Sequence, residues 1–418
     1  MDCVKIFPSA LSGEVTVPPS KSAAHRNIIC AALGSGVSKI TPACHSNDID
    51  ATLFCVKALG ASVSEKDGAF YITGIDRTKA LNKKVTLDCK ESGSTLRFIL
   101  PIAAALGANA TFIGSGRLPL RPITPLTSIL RSFGVECSSD TLPLTIKGKL
   151  NKGEYAVSGD ISSQYLTGLI FAASITGGSA RLTTPLQSAG YVDLTLNILK
   201  NFGVDVKTDK NTYLPTGNFI SKEEVIEGDW SQACFFIAAG ALGGNITVKG
   251  LDLNSAQGDK SALEYFKALG ADISTENNCI SVKKGVGGNA KINCSQIPDM
   301  VPSLAVAAAL LKGETQLFGA ARLRLKESDR IKTVVSGLKN MGIEVTELED
   351  GMIIKGGIPK GGFVDGSNDH RIVMAFSVLA AFSRGETVIS DVNAINKSYP
   401  DFFEDFRSVG GKFICHQL

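Results

Sequence analysis

Apolar and polar positions along the chain repeat one pattern six times. The segments VKALGASVS, LRSFGVECS, LKNFGVDVK, FKALGADIS, LKNMGIEVT and FRSVGGKFI each join the end of an amphipathic helix to an alternating strand. A glycine separates the two in every copy, at Gly60, Gly134, Gly203, Gly270, Gly342 and Gly410, where a left-handed helix C-cap belongs. The glycines lie 67 to 74 residues apart, too long for a solenoid repeat and suited to a compact βαβαββ unit. Six units divide as three plus three.

Each unit also carries an earlier helix with a polar opening: PSKSAAHR, KESGSTLR, DISSQYLTG, GDWSQACFF, IPDMVPSLA and SNDHRIVMA. The residues that follow are small and apolar, as in a helix buried on most sides. Their first turns are therefore candidate site walls. Most of the first five units close with a second hairpin strand, as at 69–73 and 351–355, whereas the sixth stops after one. The N-terminal strand at 3–7 is its expected partner. Residues 18–227 then form the first three-repeat domain, and residues 1–17 with 228–418 the second, with hinge crossovers near 18 and 227.

Length agrees, since 418 residues are too many for one hydrophobic core. Charge narrows the function. Lys and Arg number 43 against 40 for Asp and Glu, which provides no basic field for a nucleic-acid backbone. The apolar runs at 168–175 and 304–311 fall short of the roughly 20 residues that span a bilayer, and the opening MDCVKIFPSALSG has no signal-peptide pattern. The ten cysteines are scattered, with no C-x-x-C pair and no Cys/His cluster at metal-ligand spacing. Together these predict a cytoplasmic protein with buried thiols, no metal, and neither nucleic acid nor membrane as partner.

The candidate chemistry lies at the helix mouths. Lys21 and Arg26 occupy the first two turns of the opening helix. Arg121 precedes a helix starting at Thr124-Pro125 with Thr124 as cap. Lys326, Glu327 and Arg330 stand at the start of a helix capped near Ser328; His370 and Arg371 follow a capping Asp369, and Lys397 precedes the last helix. A cation near a helix N-terminus faces partial positive charge, at about 0.3–1 kcal/mol each. Local pairing would relieve some of this: Arg330 with Glu327, Arg371 with Asp369, Lys397 with Asp401. Recurrence at five mouths argues instead for bound anions, where free backbone N–H groups, the dipole and Lys or Arg act on one ligand. The ligands expected are small and multiply negative, with phosphates and carboxylates, and more than one substrate is implied.

Hydroxyl and amide groups fill the remaining mouths, at Ser92-Gly93-Ser94, Ser162-Ser163-Gln164 and the Ser188/Tyr191 pair. They read as caps or as neutral donors to phosphate and hydroxyl oxygens. Asp299 in IPDMVPS either caps its helix or takes a proton from a substrate hydroxyl, and Glu327 is either an ion-pair partner or a proton donor and acceptor. The chain has no G-x-x-x-x-G-K-[ST], no complete dinucleotide fingerprint and no G-x-S-x-G elbow.

Taken in order, PSKSAAHR, SGSTLR, LRPITPL, DISSQY, LQSAGYVD, IPDMVPSLA, LKESDRI, SNDHRIVMAF and NKSYPDFF resemble the 5-enolpyruvylshikimate-3-phosphate synthase family over the full length. The resemblance implies two domains of three βαβαββ copies in pseudo-threefold arrangement, an inside-out α/β barrel type. It implies transfer of enolpyruvyl from phosphoenolpyruvate to the 5-hydroxyl of shikimate 3-phosphate without metal or organic cofactor. It further implies that Lys21, Ser22, Arg26, Ser162, Ser163, Gln164, Ser188, Tyr191, Asp299, Arg322 and Lys326 bind shikimate 3-phosphate. Phosphoenolpyruvate falls to Lys21, Gly93, Arg121, Gln164, Arg330, Arg371 and Lys397. Asp299, Glu327 and Lys21 are the implied catalytic groups, and domain closure is part of that expectation.

Two positions depart from the family pattern: Glu91 and Arg322 each stand where many members have Asn. The nearest rival is the sister family acting on UDP-N-acetylglucosamine, whose members usually carry a reactive Cys before the Arg-Pro of a loop that here reads GSGRLPLRP. A non-catalytic sugar-phosphate binder on the same scaffold would need the cations, but not Asp299 and Glu327 together. No association element is visible, so a monomer is expected.

Overall fold

The computed structural model describes residues 2–77 and 84–417; Met1, residues 78–83 and Leu418, which the expected domain spans include, lie outside them. The described chain divides into two compact units, a first at Lys21–Ile226 and a second made of Met1–Ser20 with Glu227–Leu418.

Each unit holds three copies of one motif with two helices per copy. In the first unit these are α1 (Lys21–Leu33) with α2 (Asn47–Ala58), α3 (Gly93–Leu106) with α4 (Thr124–Ser132), and α5 (Ser163–Thr176) with α6 (Ala189–Asn201). In the second they are α7 (Trp230–Leu242) with α8 (Ala262–Ala268), α9 (Val301–Ala308) with α10 (Arg330–Asn340), and α11 (His370–Ala381) with α12 (Phe402–Ser408). The six glycines that mark the repeat follow α2, α4, α6, α8, α10 and α12, all with φ between 81° and 107°. A side chain there would be strained, which is why this one position stays legible in every copy.

Among the described residues six four-stranded sheets accompany the helices. In the second copy Val85–Asp88 runs parallel to Ala110–Ile113, which pairs antiparallel with Leu144–Lys147, and that with Glu136–Cys137. Three copies import a strand from elsewhere in the chain. Glu223–Val225 opens the first sheet beside Val37–Thr41, and Ser12–Thr16 opens the fourth beside Asn245–Lys249. Asp2–Phe7 closes the sixth, antiparallel to both Thr387–Ser390 and Lys412–Gln417, the partnership expected for the N-terminal strand.

The odd-numbered helices form the interior of each unit. Every residue of α7 and α11 is buried, and α7, α9 and α11 each pack on the other two. In the first unit α3 and α5 approach so closely that a Cβ on Gly168 would stand 2.2 Å from the Arg97 carbonyl. These helices are apolar and buried over most of their length, and their N-terminal turns carry the polar groups of the candidate site. All ten cysteines are free thiols, most of them buried.

Candidate active site

The two units each carry a cluster of the expected residues. In the first, α1 begins on Lys21 with no acidic residue in its first turn. Its ammonium meets Asp48 Oδ2 at 2.7 Å, with both side chains mostly buried. Asp48 sits in the first turn of α2, an acid where the helix dipole favours one. Sequence reasoning missed it, because 27 residues of chain separate the partners.

Arg26 is 2% exposed, and among the described residues its side-chain hydrogen bonds go to neutral oxygens. Nε donates to Thr195 Oγ1 at 2.8 Å, Nη1 to the Ser22 carbonyl at 2.7 Å and Nη2 to the Tyr191 carbonyl at 3.0 Å. Burial brings its pKa down to about 10 against smaller upward pulls from Tyr191 and Cys30, so it stays charged at neutral pH. A cation held this way is an electrostatic template for an anion.

At the mouth of α3, Gly93 lies under two guanidinium groups. A Cβ there would stand 2.8 Å from Nη1 of both Arg121 and Arg97. Arg97, the last residue of SGSTLR, joins the expected residues at this mouth. Its Nη1 donates to Gln164 Oε1 at 2.7 Å, while Gln164 Nε2 donates to Ser94 Oγ at 2.9 Å. Ser162 caps α5 by accepting from the Gln164 amide, Ser163 opens that helix, and Ser188 precedes α6 in the left-handed region with φ 58°. α4 starts one residue earlier than expected: Thr124 is its first residue and Ile123 the cap, with Pro125 inside the first turn, where a missing N–H costs nothing.

In the second unit the cluster centres on Arg330 at the start of α10, whose side chain is 2% exposed. Nη1 meets Asp299 Oδ1 at 2.9 Å, Nη2 meets Glu327 Oε2 at 2.6 Å, and Nε meets Asp369 Oδ2 at 2.8 Å. Burial works to lower the Arg330 pKa, but Asp369, Glu327 and Asp299 outweigh it and raise it further. Asp299 in turn takes Arg371 Nη2 at 3.1 Å and has Lys326 Nζ at 3.7 Å. Burial pushes its carboxyl up, yet Arg371, Lys326 and Arg330 hold it well below the usual range.

Several local pairings turn out differently from expectation. The cap position of α9 falls on Met300, and Asp299, one residue before it, gives its oxygens to two arginines. The cap of α10 is Asp329, which accepts from the Lys332 amide, while Ser328 donates its hydroxyl to Asp369 at 2.9 Å. Arg371 sends its guanidinium to Asp299, and its backbone N–H donates to Asp369. Lys397 donates to the Asn368 carbonyl at 2.6 Å, and Arg322 donates to the Ser295 carbonyl at 2.7 Å. Among the described residues no group of three or more His, Cys, Asp or Glu is placed to hold a metal ion, and no helix is long and apolar enough to cross a membrane.

These clusters coincide with similarity to characterised proteins. A family profile described as EPSP synthase (3-phosphoshikimate 1-carboxyvinyltransferase) matches residues 7–406. The 3-phosphoshikimate 1-carboxyvinyltransferase of Clostridium novyi (strain NT) is 42% identical, over 98% of each chain. That of Clostridium kluyveri is 44% identical, over 99% of this chain and 98% of its own. Among solved structures, EPSP synthase from Acinetobacter baumannii superposes with a TM-score of 0.83 at 28% identity, covering all of both chains. An enolpyruvyl transferase from Streptomyces tendae, at 14% identity and a TM-score of 0.78 over 100% of this chain and 99% of its own, shares the fold.

Proposed function

We infer the roles of individual residues from the fact that the chain belongs to the EPSP synthase (3-phosphoshikimate 1-carboxyvinyltransferase) family. It is a transferase of the shikimate pathway, moving enolpyruvyl from phosphoenolpyruvate to the 5-hydroxyl of shikimate 3-phosphate with release of phosphate.

The observation that carries the mechanism is that Asp299 and Glu327 rest on adjacent nitrogens of the one buried guanidinium of Arg330. Two carboxylates held at fixed places on a shared cation can divide the proton transfers between them. Asp299 accepts the proton of the 5-hydroxyl as its oxygen attacks C2 of phosphoenolpyruvate. Glu327 delivers a proton to C3, then removes one from it as the C2–O bond to phosphate breaks. Lys21 stabilises the departing phosphate. An anion that shares Arg371 and Arg330 with Asp299 weakens their hold on its carboxylate, so the base gains proton affinity as substrate arrives.

For binding, Lys21, Ser22, Arg26, Ser162, Ser163, Gln164, Ser188, Tyr191, Asp299, Arg322 and Lys326 serve shikimate 3-phosphate. Lys21, Gly93, Arg121, Gln164, Arg330, Arg371 and Lys397 serve phosphoenolpyruvate. Arg26 with its neutral partners and Gly93 beneath two guanidinium groups support this division. Fixed cations of this kind stabilise developing charge without reorganising. The enzyme acts in the cytoplasm as a monomer, the latter to be checked by light scattering.

The test is phosphate release from phosphoenolpyruvate by the purified protein, with shikimate 3-phosphate, with UDP-N-acetylglucosamine, and with neither. Release is expected with shikimate 3-phosphate alone and is lost in Glu327→Ala. Release with the nucleotide sugar instead would reject the assignment.

A further inference from the structure

A buried hydrogen-bond chain crosses three helices of the first unit, and none of the roles above uses it. It starts at His25 on α1, whose Nδ1 lies 2.7 Å from Thr52 Oγ1 on α2. Thr52 Oγ1 lies 2.7 Å from Thr95 Oγ1 on α3. Thr95 donates to Ser92 Oγ at 2.7 Å and also approaches the Asp48 carbonyl at 3.3 Å. Ser92 is the cap of α3, accepting from the Thr95 amide. All four side chains are fully buried.

The chain has a direction. Each hydroxyl carries one hydrogen. If Thr95 gives its hydrogen to Ser92, Thr52 gives its own to Thr95, and the Thr52 oxygen receives from His25. That assigns the Nδ1–H tautomer and leaves Nε2 as a bare acceptor. Nε2 has no hydrogen-bond partner among the described residues, and the ring meets Phe98 edge-on at 6.5 Å. Burial first, then the charges of Lys21 and Arg26, keep the imidazole neutral, with its pKa well below the usual value. An unmet buried acceptor is costly, and an apolar ring would avoid it. The position gains from histidine only through Nδ1.

We propose that His25 is a positioning residue for phosphoenolpyruvate, acting through Thr52 and Thr95 on the Ser92 cap that sets the Gly93 mouth. This rests on the placement of phosphoenolpyruvate at Gly93 given above. With the Thr95 hydrogen on Ser92 at 2.7 Å, the Asp48 carbonyl at 3.3 Å is only a packing neighbour of the chain.

His25→Phe and Thr52→Val each cut the chain, and Thr52→Ser restores it. Steady-state kinetics with each substrate varied in turn, alongside a melting temperature for each variant, form the test. Both cut variants are expected to raise KM for phosphoenolpyruvate about fivefold, with kcat within about twofold and KM for shikimate 3-phosphate unchanged; Thr52→Ser returns to the wild-type value. An equal rise in both KM values, a lowered melting temperature with unchanged KM, or no recovery in Thr52→Ser would reduce His25 to core packing. Should His25→Phe fail to fold, the Thr52 pair decides alone, since it leaves the imidazole in place. Flat variants in a wild type that requires shikimate 3-phosphate overturn only the His25 proposal, whereas a wild type without that requirement overturns the site assignment itself.

Discussion

The carboxylate of Asp369 holds the guanidinium of Arg330 from its Nε side, Oδ2 to Nε at 2.8 Å, and so turns Nη1 and Nη2 toward Asp299 and Glu327. Asp369 is 0% exposed, and Ser328 Oγ and the Arg371 amide occupy its other lone pairs. Asp369→Asn removes the charge and keeps the shape. Breaking a buried pair by losing one partner costs about 3 kcal/mol, which a denaturation midpoint would read. Activity falls with it, because each 1.4 kcal/mol of lost transition-state placement is about tenfold in kcat/KM. Wild-type stability and kcat/KM in this variant would remove Asp369 from the account.

Glu327→Gln keeps the hydrogen bond to Arg330 and loses the proton. A kcat loss of about 10²–10⁴-fold is expected, with substrate KM values little changed, measured by phosphate release. A loss confined to KM would make Glu327 a binding group.

Asp299 has a depressed pKa in the folded protein, so its stabilisation is complete above the unfolded value of about 3.9 and disappears as pH falls through the lower folded value. The stability gap between wild type and Asp299→Asn, from urea midpoints, should therefore be equal at about pH 7 and about pH 5 and shrink only below about pH 4. A gap already closing between the two higher values would mean that burial, not Arg371, dominates.

Gly93→Ala places a methyl group 2.8 Å from Nη1 of Arg121 and of Arg97. The guanidinium groups must shift, and KM for phosphoenolpyruvate is expected to rise about tenfold or more while KM for shikimate 3-phosphate stays within about twofold. Equal effects on both would place the two substrates on one set of groups.

His45 bridges Asp50 at 2.6 Å and Glu65 at 2.9 Å, joining α2 to the strand Ser62–Lys66. Its hydrogen bonds to Glu65 and Asp50 raise its pKa, so the clasp is complete below about pH 6.5 and is lost as pH rises through the folded value. All three side chains are about half exposed, which limits the effect to a few tenths of a kcal/mol. His45→Asn should destabilise at about pH 6 and be neutral at about pH 9. The reverse order would contradict the ion-pair reading.

The repeat was legible because a left-handed glycine after an amphipathic helix leaves a mark on adjacent residues, so Gly60 and its five counterparts needed no partner to be recognised. Asp299, Glu327 and Arg330 were legible as a set because two of them neighbour each other and all stand at helix mouths. Asp48, Arg97 and Asp369 show the limit. Lys21 finds its acid on another helix, and Asp369 had been read as a cap, yet it also serves Arg330, 39 residues away. Such pairs are set by how helices pack, and packing leaves no local pattern. The cap expected near Ser328 falls one residue later, on Asp329, because the Ser328 hydroxyl is given to the distant Asp369.

The strands Asp2–Phe7 and Ser12–Thr16 have consequences during synthesis. They leave the ribosome hundreds of residues ahead of Asn245–Lys249 and Lys412–Gln417, the strands whose sheets they complete. The first unit, contiguous in sequence, can fold while they wait. Two unpaired strands on a nascent chain are sticky edges in search of partners, which makes that interval the natural point for chaperone capture or misassembly.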